Sequence, residues 1–305
     1  MIVIPGPASK ELGARIASDL GVEPHFAEYR VFPDGESYIR LTQAVEGETV
    51  VIVQTTAPMQ DQKLMQLYML AGTAKELGAR RVICVVPYLA YSRQDKRFLD
   101  GEALSLELVI GLLESLGVDD LIVVDAHSEE SLKTIQAGHD LKVYNLSAIP
   151  ALARELRDRG FEGAYCLSPD RGAVQLAEAA SKILGGGYGF FEKFRDRKTG
   201  EIEMKVVDLD VEGGRAVVFD DIVSSGGTMA QAVEGLKGQG AERVAAACTH
   251  ALFMEGAEEK IKKAGADLIM ASDTLGPPKG VATVSVAPLV ANSLRKMTTR
   301  KKRVQ

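Results

Sequence analysis

Short apolar runs rich in Val and Ile recur along the chain, separated by longer stretches whose apolar residues fall at helical spacing. The runs at 49–53, 82–86, 121–124, 164–167, 215–219, 243–248, 267–270 and 283–286 are too continuously apolar for half-exposed strands and predict strands buried in a parallel sheet. Between them, residues 61–77, 104–116, 147–159, 172–184 and 229–239 predict amphipathic helices. Strand and helix therefore alternate, which predicts an α/β fold.

A repeat is visible within this alternation. Val45-Glu46-Gly47-Glu48-Thr49-Val50-Val51-Ile52-Val53 resembles Val211-Glu212-Gly213-Gly214-Arg215-Ala216-Val217-Val218-Phe219. After each comes a helix ending in Gly78-Ala79 or Gly240-Ala241, then an Arg-Val pair and another strand. Two similar doubly wound parallel-sheet domains, at 1–145 and 146–305, account for this better than one large sheet, with the extreme C-terminal segment a candidate to pack back on the first. The halves diverge at one place: Gln54-Thr55 stands where the second half has Asp220-Asp221.

Composition narrows the setting. A chain of 305 residues, 46% of them hydrophobic and 26% charged, is long enough for two cores. Its N-terminus lacks the layout of a secretory leader, and no apolar run reaches the roughly 18 residues needed to span a bilayer, so a cytoplasmic location without a membrane partner is expected. Cys84, Cys166 and Cys248 sit singly in apolar segments, without metal or redox spacing, which fits a reducing compartment. A net charge of -6 argues against a nucleic-acid partner, although residues 295–303 are locally basic.

The richest chemistry lies in Phe219-Asp220-Asp221-Ile222-Val223-Ser224-Ser225-Gly226-Gly227-Thr228, which leaves a predicted strand and enters a predicted helix at about Thr228. Backbone N–H groups of Gly226, Gly227 and Thr228 at a helix N-terminus, with Ser and Thr hydroxyls beside them, suit a phosphate dianion. Glycine there lets phosphate approach the backbone. Two adjacent carboxylates are tolerable if ribose hydroxyls and a divalent cation share them. That combination suits a sugar phosphate better than a nucleoside triphosphate, although a strand, an acidic turn and a capped helix would share the Gly-Gly pair. Neither a P-loop nor a strand-linked Gly-x-Gly-x-x-Gly string occurs.

Ligands of open α/β sheets bind beyond the carboxyl ends of strands, so polar clusters there gain weight. Predicted strands run out into Asp125-Ala126-His127-Ser128 and Ser168-Pro169-Asp170, making His127 and Asp170 candidates for Mg²⁺ and nucleotide phosphate. His25, His139 and His250 read as structural. Residues 87–97, including Arg93, Gln94 and Asp95, either engage a nucleotide or form a solvated basic loop. Phe32, Asp34 and Glu36 set an aromatic face beside carboxylates, as would a turn between strands. Residues 192–200, including Lys193 and Arg195, read on their own as a charged surface hairpin.

Together these strings resemble the ribose-phosphate diphosphokinase (phosphoribosyl diphosphate synthetase) family over nearly the whole chain and in the family's order. The short chain and the Lys193 segment look like its archaeal-like members. The resemblance implies two doubly wound domains of the type I phosphoribosyltransferase kind. It also implies transfer of the β,γ-diphosphoryl group of ATP to the C1 hydroxyl of ribose 5-phosphate, giving 5-phosphoribosyl 1-diphosphate and AMP for nucleotide biosynthesis. Carried over by position, Phe32, Asp34, Glu36, Arg93, Gln94, Asp95 and His127 would meet ATP, the Phe32 loop often reaching it from a neighbouring subunit. His127 and Asp170 would contact Mg²⁺, and Lys193 and Arg195 would be the catalytic pair. Asp220, Asp221, Ser224, Ser225, Gly226, Gly227 and Thr228 would hold ribose 5-phosphate, in a homo-oligomer of dimer size or larger. Ser225 replaces the family's usual Thr, and Arg171 follows Asp170 where a small residue is common. A phosphoribosyltransferase and a non-catalytic nucleotide-sensing relative are the alternatives.

Overall fold

The computed structural model describes residues 1–195, 202–205, 209, 211–254, 256–276 and 278–301. The chain divides into two compact units: Met1–Leu146 with Thr274–Gly276 and Ser285–Gln305, and Ser147–Asp273 with Pro277–Val284. No helix among the described residues is long and apolar enough to cross a membrane.

The first unit contains β1 (Ile2–Pro5), α1 (Lys10–Leu20), β2 (Glu28–Val31), β3 (Ser37–Arg40), β4 (Thr49–Val53), α2 (Gln60–Glu76), β5 (Arg81–Val86), α3 (Ser105–Ser115), β6 (Asp120–Val124), α4 (Glu129–Gln136) and β7 (Lys142–Leu146). Strands β1, β4, β5, β6 and β7 lie side by side in that order, all parallel. Every residue of β4 and β6 is buried, as their unbroken apolar runs require. β2 and β3 form a separate antiparallel hairpin.

The second unit contains α5 (Ile149–Leu156), β8 (Tyr165–Ser168), α6 (Val174–Leu184), β9 (Tyr188–Phe190), β10 (Glu192–Arg195), β11 (Ile202–Lys205), β12 (Arg215–Val223), α7 (Gly227–Gly238), β13 (Arg243–Ala251), α8 (Ala257–Lys263), β14 (Leu268–Ser272) and β15 (Ala282–Val284). The last helix, α9 (Ala287–Lys301), belongs to the first unit and packs against α1, where the Arg295 guanidinium donates to the Asp19 carbonyl.

In the second unit the strand order is β9-β8-β12-β13-β14-β15, all parallel. Alternate residues face opposite layers. Ala216, Val218, Val244, Ala246 and Cys248 pack with Met229, Val233 and Leu236 of α7 and Ile261 of α8. Val217, Phe219, Ala245 and Ala247 pack with Leu152 and Leu156 of α5 and Ala177 and Ala180 of α6. The period of two thus gives a doubly covered sheet, in which a fully buried Phe219 or Leu236 contributes about 1.5–3 kcal/mol. The chain places β9 on one side of β8 and β12 on the other, so its winding reverses between β8 and β12. The first unit repeats this reversal in reduced form: β1 pairs with β4 on one side, and on the other Val3 bridges Pro24 in parallel while its carbonyl accepts from His25 N–H at 2.9 Å.

The largest differences from the expected boundaries lie at β12, α5 and β13, the last running past the expected 248 to Ala251. The strand expected at 215–219 continues to Val223, since Asp220 and Ile222 stay in register with Cys248 and His250 of the equally long β13. The helix expected at 147–159 ends its regular winding at Leu156, and Gly160 at φ 87° turns the chain.

The repeat is carried by hydrogen bonds. Gly47 N–H donates to the Gly78 carbonyl at 2.8 Å and Gly213 N–H to that of Gly240 at 2.9 Å. In the first unit Asp119 Oδ2 accepts from Lys75 Nζ at 3.2 Å and Val82 N at 2.8 Å. In the second, Asp267 Oδ2 accepts from Lys237 Nζ and Val244 N, both at 2.8 Å. Each lysine stem crosses a left-handed glycine: a Cβ on Gly117 would meet Lys75 Cγ at 2.8 Å, and one on Gly265 would meet Lys237 Cγ at 3.1 Å. The carboxylate thus clamps the last turn of one helix to the strand that follows it.

Partial burial pushes the Asp267 carboxyl up, but the Lys237 ammonium and the Val244 N–H outweigh it and hold the group below the ordinary aspartate range. Asp267→Ala is therefore expected to lower stability by about 1 kcal/mol at neutral pH, a value discounted for the solvent that reaches the pair. A lowered carboxyl pKa contributes fully above the ordinary aspartate range and is lost as pH falls through the folded-state value, so the gap between variant and parent should narrow in acid. Urea unfolding across that range checks this, and a gap absent at neutral pH removes the clamp from the account of the fold.

Candidate active site

Where winding reverses in an open α/β sheet, the carboxyl ends of the two strands splay apart and leave a crevice. In the second unit those strands are β8, which runs out into Ser168-Pro169-Asp170, and β12, whose last four residues are Asp220-Asp221-Ile222-Val223. After β12 a short turn of Ser224, Ser225 and Gly226 enters α7. No side chain caps α7, and helix geometry leaves the N–H groups of Gly227, Thr228 and Met229 without intrahelical acceptors. Ser225 and Thr228 are exposed beside that terminus and Ser224 is half-buried.

The two glycines have different reasons. Gly226 adopts φ 75°, and a Cβ there would lie 2.9 Å from the Ala257 carbonyl oxygen and 3.0 Å from its Cα, so the fold itself demands glycine. This corrects the expectation that ligand approach explains both positions. Gly227 is ordinary helix, and the nearest atom to its Cβ position is Ser225 Oγ at 3.9 Å. Nothing internal requires glycine there, which leaves an open approach to backbone N–H groups.

Asp220 pairs in the ladder with Cys248, and its carboxyl accepts from Asp221 N–H at 2.9 Å. Burial, then the neighbouring Asp221, then Asp170 push its carboxyl well above the ordinary range. Asp170 caps the short turn at Arg171–Ala173, accepting from Gly172 N–H at 3.0 Å, while Ser168 Oγ donates to the Asp170 carbonyl. The structure therefore brings Asp170 and Asp221 close enough to Asp220 to oppose its ionisation, at the ends of the strands flanking the reversal. Among the described residues no three His, Cys, Asp or Glu side chains form a ready-made metal cage. A divalent cation would fit this donor set as Mg²⁺ usually binds, through one or two carboxylates with phosphate oxygens and water completing its shell.

Lys193 and Arg195 lie on β10, their backbones paired with Met204 and Ile202 of β11 in an antiparallel hairpin. Their side chains, and residues 196–201, lie outside the described residues.

In the first unit β5 and β6 are neighbours, and Val124 N–H donates to the Pro87 carbonyl at 3.3 Å, so the Arg93 segment and the His127 segment leave adjoining strand ends. Arg93 and Gln94 are exposed and Asp95 half-buried; Gln94 accepts from Ser105 Oγ at the start of α3. His127 is exposed, one residue before Ser128, which caps α4 by accepting from Ser131 N–H at 3.2 Å. Asp125, just upstream, is held at φ 37°, a sparsely populated conformation of the kind that collects at functional sites. Phe32, Asp34 and Glu36 occupy the turn of the β2–β3 hairpin. Phe32 N–H donates to the Glu36 carbonyl at 2.8 Å, Glu36 N–H donates to Asp34 Oδ1 at 3.1 Å, and the Arg30 guanidinium lies 4.9 Å over the Phe32 ring. Gln66 of α2 holds the hairpin by donating to Tyr29 Oη at 3.0 Å and Ser37 Oγ at 3.2 Å. Arg30 and Gln66 were absent from the sequence reading, because nothing local marks a residue that acts across elements.

The first unit's counterpart of the β8–β12 crevice is filled. Gln54, fully buried at the position corresponding to Asp220, accepts from Ala8 N–H at 3.0 Å and donates to Gln66 Oε1 at 3.2 Å. A Cβ on Gly6 would meet Gln54 Oε1 at 2.3 Å, and Thr55 N–H donates to Ser9 Oγ at 2.7 Å. Neutral amides have stitched together what the second unit leaves open and acidic.

Comparison with known proteins agrees with this asymmetry. Residues 1–117 match the N-terminal domain of ribose phosphate pyrophosphokinase, and residues 144–273 match the phosphoribosyl transferase domain. Ribose-phosphate pyrophosphokinase of Saccharolobus solfataricus is 36% identical over 296 residues, spanning 96% of this chain and 100% of that protein. That of Methanopyrus kandleri is 39% identical over 300 residues, spanning 98% and 100%. The crystal structure of phosphoribosylpyrophosphate synthetase from Mycobacterium smegmatis matches with a TM-score of 0.87 at 28% identity, covering 98% of this chain and 99% of that one. With relatives this similar along nearly its entire length, the chain belongs to the ribose-phosphate pyrophosphokinase family.

Proposed function

We propose that this chain, working in the cytoplasm as a homo-oligomer of dimer size or larger, transfers the β,γ-diphosphoryl group of ATP to the C1 hydroxyl of ribose 5-phosphate, releasing AMP. The observation that carries this reading is the pairing, in one unit, of an uncapped helix end open at Gly227 with the carboxylates of Asp170, Asp220 and Asp221. One end suits a phosphate dianion and the other suits hydroxyl donors and a cation.

The N–H groups of Gly227 and Thr228, with the hydroxyls of Ser224, Ser225 and Thr228, receive the 5-phosphate. Asp220 and Asp221 accept hydrogen bonds from the ribose hydroxyls, which orients the anomeric oxygen for in-line attack on the β-phosphorus. Phe32, Asp34, Glu36, Arg93, Gln94, Asp95 and His127 receive ATP. Mg²⁺, with His127 and Asp170 as proposed contacts, supplies charge neutralisation at the phosphate oxygens when bound. Lys193 and Arg195 offset the charge that accumulates on the transferred group as the bond to AMP breaks.

Incubation with ATP, Mg²⁺ and ribose 5-phosphate should yield AMP and phosphoribosyl diphosphate in equal amounts. Diphosphate released only when a nucleobase is added, with no AMP from ATP, indicates a phosphoribosyltransferase instead, and nucleotide binding without either product a sensing relative. Gly227→Ala should leave the melting temperature unchanged or slightly raised, since the Cβ position is open, yet raise the KM for ribose 5-phosphate at least about tenfold by blocking phosphate from the backbone. An unchanged KM would remove the phosphate from this helix end. Lys193→Ala and Arg195→Ala should each lower kcat by about 10²–10³ with smaller effects on substrate affinity. Undiminished turnover in either variant takes that residue out of the catalytic pair.

A further inference from the structure

The turn that precedes α7 does not hold its own shape. Its successive carbonyls are taken up by the segment that follows β13: Val223 O accepts from Phe253 N–H at 3.1 Å, and Ser224 O from Met254 N–H at 2.9 Å. Ser225 O accepts from Lys260 Nζ of α8 at 3.3 Å. Ser224 Oγ also lies 3.2 Å from Met254 Sδ, and Gly226 packs against the backbone of Ala257, at the start of the same helix. Phe253 takes up φ 39° to bring this about, a strained geometry for an aromatic residue.

A trans peptide sets its carbonyl and the following N–H in opposite directions. Tethering the carbonyls of Val223, Ser224 and Ser225 to residues 253, 254 and 260 therefore turns the N–H groups of Ser224, Ser225 and Gly226 the other way. Consecutive N–H groups aimed alike make an anion-binding concavity, which here adjoins the uncapped terminus of α7. The first two tethers are backbone bonds that almost any residue at 253 and 254 would supply. The third is a side chain, and it carries a charge. Neighbouring Lys262 is paired with Glu258, while Lys260 reaches the turn.

We propose that Lys260 is a positioning residue for ribose 5-phosphate: its ammonium holds the Ser225 carbonyl so that Gly226 N–H points to the 5-phosphate, and it adds positive charge beside the site. This deepens, and rests on, the reading of the turn as the ribose 5-phosphate site. The effect should fall on that substrate alone, because Lys260 acts through the phosphate loop and touches none of the groups assigned to ATP.

Lys260→Met keeps the aliphatic stem and removes the charged donor. In the full-length protein it should weaken ribose 5-phosphate binding, measured by calorimetry, and raise its KM by about tenfold each. The KM for ATP, kcat and the melting temperature should stay near those of the parent, and Lys260→Arg should recover most of the loss. Inorganic phosphate, used as a competing probe, should likewise bind Lys260→Met less well. Ribose 5-phosphate binding that survives in Lys260→Met overturns the inference alone. So does a variant in which ATP affinity, kcat and melting temperature fall together, since that marks a merely structural role. Failure of the unaltered protein to bind ribose 5-phosphate overturns the functional reading, and this inference with it.

Discussion

The ladder between β12 and β13 continues past the core to Val223, and the candidate site depends on that extra length. Up to Phe219 the strand carries apolar residues into both layers of the unit. Beyond it the same register carries Asp220 and Asp221 out to the rim while keeping their backbone in the sheet. Ladder geometry leaves little freedom in where a carboxylate on a central strand points, so both are presented by rigid structure rather than by a loop. It also fixes what lies opposite. Because β13 ends at Ala251, the chain beyond it emerges beside the turn after β12 and can bond that turn residue by residue.

That placement has an electrostatic consequence. Asp220 is withdrawn from solvent beside two further carboxylates, and its charged form is disfavoured. A raised carboxyl pKa leaves stability intact below the ordinary aspartate range and erodes it as pH rises through the folded-state value. Toward neutral pH the unit therefore bears an opposing term that hydroxyl donors or a cation at Asp220 would relieve. Such local conflict between stability and chemistry is common at functional sites.

Much of this was legible in the residues and some was not. Buried parallel strands announce themselves as unbroken apolar runs, and the runs ending at Val53, Val86 and Val124 end there in the structure. The turn after β12 stood out as a candidate because its chemistry is local: acid pair, hydroxyls and glycines fall within ten consecutive residues. The reason for Gly226 was not, since it depends on Ala257, some thirty residues away in a separate helix. The end of β12 was missed for a related reason: two aspartates read as a loop on propensity, and only the length of β13 keeps them paired. The clamp formed by Lys75, Gly117 and Asp119, and again by Lys237, Gly265 and Asp267, spans parts of the sequence too separate for periodicity to connect.

The two units share those clamps and their succession of parallel strands, so the loss of site chemistry from the first needs a narrower cause than a different fold. It lies in a handful of side chains. Gln54 has the reach to bond across to Ala8 and Gln66, and as a neutral amide it can be fully buried without a counter-ion. An aspartate there would face the Gln66 carbonyl oxygen with its own charge and have no donor in that direction, so the crevice could not close around it. The winding reversal itself is shared, since Pro24 bridges Val3 on the side of β1 away from β4, so what differs is the set of side chains that fill the crevice. Both units reverse their winding, and the acid residues stand in the one whose crevice neutral amides do not close.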